Sequence, residues 1–262
     1  MAKIHFLGTC SGTEPMPGMH HCSLVLETAG QYYWFDAGEG CAFTAHTSGM
    51  NVLNTRAIFV SHPHIDHIGG LANLFQCMKK LISRGCGQMI HDNQVDVYFP
   101  DMPTLQAIKL VADSGNPNAP KHFELLEHAI SDGVLFQDEH VTVTALHNRH
   151  MNEDGSRGWH SYSFLMEAEG KKIVFSGDVA SPDELDPLVS GGTDMLIMET
   201  GHHKVVDVCE YAASRGVNCL RFNHHGREII NDRAGCEAYV ADFAAGKEIS
   251  IIICRDGMIE EI

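Results

Sequence analysis

Short apolar runs broken by glycine-, proline- and asparagine-rich turns recur along the chain, and they predict strands in two blocks, each followed by helices. Residues 3–7, Ser23–Glu27 and Tyr32–Phe35 read as strands, the last two joined as a hairpin around Ala29-Gly30. A short helix is expected at 41–50 and a buried strand at 56–60. Leu71, Leu74, Phe75, Met78 and Ile82 recur at helical spacing, which predicts a helix from Gly69 to Ser83 that ends near Arg84-Gly85. Val95–Phe99 reads as a strand, 103–113 as a helix entered through Pro103 and 116–120 as a loop, with strands near 123–126, 134–136 and 140–146. Residues 162–168 and 171–176 pair through Glu169-Gly170, and Met195–Glu199 is a buried strand. A helix at 204–215, a strand at 217–222, a helix near 233–245 and a strand pair at 248–254 and 257–262, across Arg255-Asp256-Gly257, complete the pattern. Two β-rich halves with helices outside predict an α/β protein, a four-layer αββα sandwich, as a single domain over 1–262.

Composition narrows the function. The chain carries 34 acidic against 18 Lys and Arg residues, a formal net charge of −16. A large polyanion such as folded RNA would meet long-range repulsion, and the longest basic runs are Lys79-Lys80 and Lys171-Lys172. A small substrate is therefore favoured. No apolar run approaches a membrane span, and no basic-then-apolar leader opens the chain, so a cytoplasmic location and no membrane partner are expected. The nine cysteines are scattered without a CxxC pair, which reads as reduced, mostly buried thiols.

The densest chemistry is Ser61-His62-Pro63-His64-Ile65-Asp66-His67, directly after the apolar run Ala57–Val60. Imidazole and carboxylate are ligands that suit Zn²⁺. In an extended segment His62 and His64 point the same way and can bite one ion, while Asp66 and His67, where the chain turns, face a second. Further candidates lie at strand ends: His150 past the strand at 140–146, Asp178 after Ser176-Gly177, and His224 after Leu220–Asn223. Such convergence on one rim is how a rigid scaffold holds a site.

His62-Pro63-His64-Ile65-Asp66-His67 matches the HxHxDH signature of the metallo-β-lactamase superfamily. Asp36-Ala37-Gly38 resembles its first motif, Ser176-Gly177-Asp178 its fourth and Asn223-His224 its last. The resemblance covers nearly the whole chain and implies the αββα sandwich with two Zn²⁺ at its edge, Mn²⁺ or Fe²⁺ being alternatives. It implies that His62, His64 and His150 hold one metal, that Asp66, His67 and His224 hold the other, and that Asp178 bridges. Asp36 is then expected to orient ligands from behind. His147 competes with His150, and His225 with His224; the spacing of the family favours His150 and His224, leaving His147 and His225 as supporting or substrate-facing residues.

Phe6–Pro15, Tyr162–Glu167, Met198-Glu199-Thr200 with His202-His203, and Arg255-Asp256-Gly257-Met258 resemble the ribonuclease Z-like, phosphodiesterase branch. There a Glu orients a His that protonates the leaving oxygen, a part open here to Glu199 with His203 or His202. Transfer-RNA-processing members carry a long inserted arm; here only the turn at Glu169-Gly170 stands where it is often found, and 84–94 holds Arg84 as its one Lys or Arg. The expected activity is a dinuclear metal-dependent hydrolase, a phosphodiesterase on a small or short single-stranded substrate, with a metal-bridging hydroxide as nucleophile and Asp66 orienting it. Folded tRNA is disfavoured, and dimers are common in that branch. A lactonase, thioesterase or sulfatase on the same ligands, with His20-His21 and 151–160 flanking the cleft, and a non-catalytic metal sensor are the alternatives.

Overall fold

A computed structural model describes residues 1–116, 118, 121–151 and 158–262. The loop expected at 116–120 and the segment 151–160 therefore fall partly outside the described residues. The chain opens with strands β1 (Lys3–Gly8), β2 (Ser23–Thr28) and β3 (Gln31–Phe35), then helix α1 (Cys41–Thr47) and strand β4 (Thr55–Phe59). Helices α2 (Ile65–Ile68) and α3 (Leu71–Ser83) follow, then β5 (Gln94–Phe99), α4 (Met102–Ala112) and β6 (Glu124–Ala129). The next strands are β7 (Gly133–Gln137), β8 (Val141–His147), β9 (Tyr162–Ala168) and β10 (Lys171–Phe175). Then come α5 (Asp186–Val189), β11 (Met195–Glu199), α6 (Val205–Ser214), β12 (Cys219–Asn223), α7 (Arg227–Asn231), α8 (Arg233–Ala244), β13 (Ser250–Ile253) and β14 (Met258–Glu261).

These elements form two compact units. The first comprises Met1–Gly8, His20–Ile130 and Asp256–Ile262. Its seven-stranded sheet has the order β14-β1-β2-β3-β4-β5-β6, parallel from β3 to β6. One sheet face sends Trp34, Ile58, Val60, Val97 and Phe99 into a core with Leu71, Leu74, Phe75 and Met78 of α3 and Leu105 of α4. The i, i+3, i+4, i+7 spacing of the α3 residues gives one apolar stripe, which is why this segment is a helix packed on a sheet. Asp101 starts α4 by accepting from Thr104 N at 3.2 Å, with Pro103 in the first turn where its missing N–H costs nothing.

The second unit comprises Thr9–Met19 and Ser131–Arg255. Its sheet runs β13-β12-β11-β10-β9-β8-β7, and β10 to β13 are parallel. All five residues of β11 are buried, as a central parallel strand requires. Val174, Leu196, Met198, Leu220 and Phe222 pack with Val208, Cys209 and Ala212 of α6 and Val240 of α8. No helix among the described residues is long and apolar enough to cross a membrane.

One expectation needs correction. The strands at the C-terminal end do not pair with each other across Arg255-Asp256-Gly257. β13 pairs in parallel with β12, while β14 pairs antiparallel with β1 in the other sheet. The cause lies at the turn: Gly257 N donates to Phe6 O at 2.8 Å, which commits the chain to β1 as soon as it leaves β13. The helix expected from Gly69 to Ser83 is α3, Leu71–Ser83; the short α2 before it is set apart because Gly69 N closes α2 onto Ile65 O at 2.7 Å while Gly70 N bonds Ala37 O at 2.8 Å. The helices α2, α5 and α7 are too short to show a period in the sequence.

Candidate metal centre

In the first unit the ligand run leaves the carboxyl end of β4 and is organised around Asp36. Asp36 follows β3 with φ +58°, a left-handed conformation uncommon outside glycine, and is fully buried. Its Oδ1 accepts from Ser61 N at 2.7 Å, and its Oδ2 accepts from Ser61 Oγ at 2.8 Å and His67 Nδ1 at 2.7 Å. Because the single hydroxyl proton of Ser61 goes to Asp36, Ser61 Oγ is the acceptor for His62 Nδ1 at 3.0 Å. Both His62 and His67 therefore carry their proton on Nδ1 and their lone pair on Nε2. His62 Nε2 lies 3.0 Å from His64 Nδ1, and His67 Nε2 lies 3.4 Å from Asp66 Oδ2. The His62 and His67 rings are 4.1 Å apart. Gly38 makes this compactness possible: a Cβ there would stand 2.3 Å from Asp66 O.

In the second unit the candidates leave the carboxyl ends of three neighbouring parallel strands. Asp178 follows β10 through Gly177 at φ +54°, Glu199 ends β11, and His224 follows β12 at φ +48°. His224 Nδ1 is 3.3 Å from Asp178 Oδ1, and His150 Nε2 is 3.7 Å from Asp178 Oδ2. Glu199 Oε1 meets His202 Nδ1 at 3.1 Å while Glu199 Oε2 accepts from His202 N at 2.8 Å. The candidate ligand atoms of Asp178, Glu199, His202 and His224 all lie within 4.8 Å of one another. The Asp178 carboxylate with the His150 and His224 imidazoles, converging from a rigid rim, fits a divalent cation such as Zn²⁺ by donor type, with Glu199 and His202 paired beside them. Burial pushes the Glu199 carboxyl up, but hydrogen bonds from His202 and His224 outweigh it and hold it at about 2. The Glu199 bond in turn raises His202 above the usual histidine range.

The structure separates the competing histidines by their partners. His150 faces Asp178, whereas His147 turns to Asp132, its Nδ1 2.6 Å from Oδ2, and lies flat on Trp159 with ring centres 3.9 Å apart. His224 faces Asp178, whereas His225 donates Nε2–H to Cys254 O at 2.9 Å, its N–H to Thr9 O at 2.6 Å, and accepts Ser11 N and Oγ on its carbonyl. His225 thus ties the 9–11 loop to the end of β13, and burial pushes its imidazole down to about 4. His202 bonds Glu199 through side chain and backbone; His203 is 3.3 Å from Glu199 Oε1 but donates to Val179 O at 3.0 Å. Three supporting residues escaped the sequence reading. Ser61 relays Asp36 to His62, and Asn148 accepts His150 N at 3.2 Å while donating to Ser163 Oγ at 3.1 Å. Ser176 Oγ accepts Glu199 N at 3.1 Å. The position of Ser61 directly before the first histidine was the available signal, as was that of Asn148 two residues before His150; Ser163 and Glu199, the other partners of Asn148 and Ser176, lie too far along the chain to leave one.

Residues 2–203 match the family model described as anti-Pycsar protein Apyc1. The chain belongs to this family. Among curated relatives, Ribonuclease Z of Mycolicibacterium paratuberculosis is 24% identical over 260 residues, covering 88% of each chain. Ribonuclease Z of Cyanothece sp. is 29% identical over 152 residues, 56% of this chain and 43% of its own length. The chain therefore spans less than half of that relative. Among solved structures, human tRNase Z, short form, aligns with a TM-score of 0.73 at 19% identity, over 99% of this chain and 99% of the other. A diphosphatase of the PhnP family aligns with a TM-score of 0.68 at 14% identity, over 100% and 98%. The chain thus has the metallo-β-lactamase fold, and its sequence is similar to Ribonuclease Z.

Proposed function

We propose that the protein is a metal-dependent phosphodiesterase acting on a small or short single-stranded substrate. The observation that carries this reading is the meeting of Asp178 with His224 Nδ1 at 3.3 Å and His150 Nε2 at 3.7 Å, beside the Glu199–His202 pair. Support comes from Ribonuclease Z among the relatives and a diphosphatase among the structural neighbours. Two divalent metals, Zn²⁺ by donor type, would be held by His62, His64, Asp66 and His67 and by His150, Asp178 and His224. Bound there, such metals supply an activated water and neutralise charge developing on the phosphoryl oxygens.

The protein's own groups account for the remaining steps. Asp36 and Ser61 fix the His62 and His67 tautomers, so that both rings present Nε2. Asp66 orients the attacking water. Glu199 holds His202 as a protonated acid, and His202 delivers a proton to the leaving oxygen, with His203 next to the same carboxylate as the alternative donor. The β9–β10 connection is the two-residue turn Glu169-Gly170, both at positive φ, so no inserted arm reaches out there to hold a folded tRNA. A cytoplasmic, dimeric enzyme is part of this reading. The test is a metal-loaded preparation assayed with bis-p-nitrophenyl phosphate, a dinucleotide and a cyclic mononucleotide beside lactone, thioester and sulfate-ester substrates. Turnover of the phosphodiesters, lost in Asp66→Ala, is expected; turnover confined to the other esters would transfer the same ligands to ester hydrolysis, and none at all would leave a metal sensor.

A further inference from the structure

Trp159 and His147 form a rigid aromatic pair on the rim that carries Asp178. The strand register places them there. His147 pairs with Tyr162 across β8 and β9, and Phe164 of β9 pairs with Phe175 of β10, so the start of β9 and the end of β10 share one edge of the sheet. Three residues beyond His147 the chain brings His150 Nε2 to 3.7 Å from Asp178 Oδ2.

The pair is held more tightly than a surface contact needs. The rings are 3.9 Å apart with planes inclined by 21°. Asp132 spends both carboxylate oxygens on one residue, accepting His147 N at 2.7 Å and His147 Nδ1 at 2.6 Å. Tyr162 OH donates to Trp159 O at 3.3 Å and closes the turn on the other side. The His147 side chain keeps 32% of its surface in water, and its Nε2 has no partner among the described residues. Trp159 is half-buried. Two parallel rings fixed before a ligand arrives, with a ring nitrogen at the water edge, are a preorganised stacking surface.

We propose that Trp159 and His147 form the platform on which a planar heterocyclic ring of the substrate, a nucleobase, stacks while its phosphodiester lies at the metal ligands. This assignment rests on the phosphodiesterase reading and names the substrate class for it. Stacking accepts any base, because every base has a π-face, and it needs no basic groove, in keeping with a chain of net charge −16.

The chain has two tryptophans, and Trp34 is fully buried with its Nε1 on Thr55 Oγ1, so ligand-dependent tryptophan fluorescence reports on Trp159. The metal-loaded protein is titrated with adenosine monophosphate, ribose phosphate and inorganic phosphate. Quenching by the nucleotide alone, absent in Trp159→Phe, is expected; equal responses to all three, or none, overturn the platform. In parallel, Trp159→Ala should raise KM for a dinucleotide roughly tenfold with kcat within about twofold, Trp159→Phe should restore most of it, and both variants should hydrolyse glycerophosphocholine, a diester without a ring, like the parent. Loss on both substrates alike would mark a merely structural stack and overturn the proposal. Phosphodiester turnover without quenching sinks the platform and leaves the hydrolase; quenching without turnover keeps the platform and sinks the hydrolase.

Discussion

His67 donates its Nδ1 proton to Asp36 Oδ2 at 2.7 Å, and both side chains are fully buried. The bond links the end of β3 to α2, and it decides which nitrogen of His67 is left to bind metal. Asp36→Asn keeps the shape, and asparagine tolerates the left-handed φ of +58° at this position, but the carboxylate that accepts from both Ser61 and His67 is lost. Metal affinity should fall about 10–100-fold with the fold retained. Competition with a chromogenic chelator measures this, and an Asp36→Asn protein that binds metal as tightly as the parent would remove Asp36 from any part in the centre.

Gly201 lies against His224. A Cβ at Gly201 would stand 2.7 Å from His224 Nδ1 and Cε1, too close for any real contact, and His224 is itself held at φ +48° with its carbonyl on Thr200 N. Gly201→Ala should displace the imidazole and cost roughly a hundredfold in kcat/KM on a phosphodiester. Gly216→Ala is the matched control. Its Cβ meets open space but its φ is +68°, so it should lose about 1 kcal/mol of stability and no activity. Equal activity losses in the two variants would mean that Gly201 matters only through stability.

Much of this architecture was legible in the chain because it is local. The α3 stripe at Leu71, Leu74, Phe75 and Met78 and the apolar run of β4 entering the histidines are periodicities within one segment. What was illegible is non-local. His147 ends β8 and His150 follows three residues later, and only Asp132 and Asp178, each many residues away, separate them. His225 is distinguished from His224 by Cys254 O, 29 residues along. The parting of β13 and β14 depends on Phe6, at the opposite end of the chain. A turn motif read alone cannot reveal that its two strands belong to different sheets.

The Cys41 thiol is fully buried in the first unit's core, and burial pushes it from 9.0 to about 12. The folded thiol thus holds its proton at pH values where the unfolded chain releases it. The unfolded state then binds fewer protons, so stability from this group is complete below pH 9 and drains away as pH rises toward about 12. Urea unfolding at a series of alkaline pH values should show this fall, and Cys41→Ala should make it shallower, the raised Cys209 and Tyr98 keeping the rest. The exposed Cys86 should meanwhile react readily with a thiol reagent in the native protein. A slope that Cys41→Ala leaves unchanged would place the alkaline loss elsewhere.

Metal removal tests whether the clustered carboxylates and imidazoles are built for a cation or for each other. Without a cation, Asp178 and Glu199 bring two buried carboxylates together, with His202 and His224 as their counter-charges. A ligand that binds only the native state stabilises it by about 2.7 kcal/mol at a hundredfold excess over its Kd. Chelation should therefore lower the melting temperature by several degrees and abolish phosphodiester turnover, and Zn²⁺ should restore both. Asp178→Asn separates the explanations, since it removes a ligand and a like-charge repulsion at once. If the cluster is a metal centre, the variant should melt no lower than the chelated parent and gain nothing from Zn²⁺. If the carboxylates serve only as structural partners of His202 and His224, the variant should melt lower than the parent whether or not metal is present, and differential scanning fluorimetry of the four samples distinguishes the two cases.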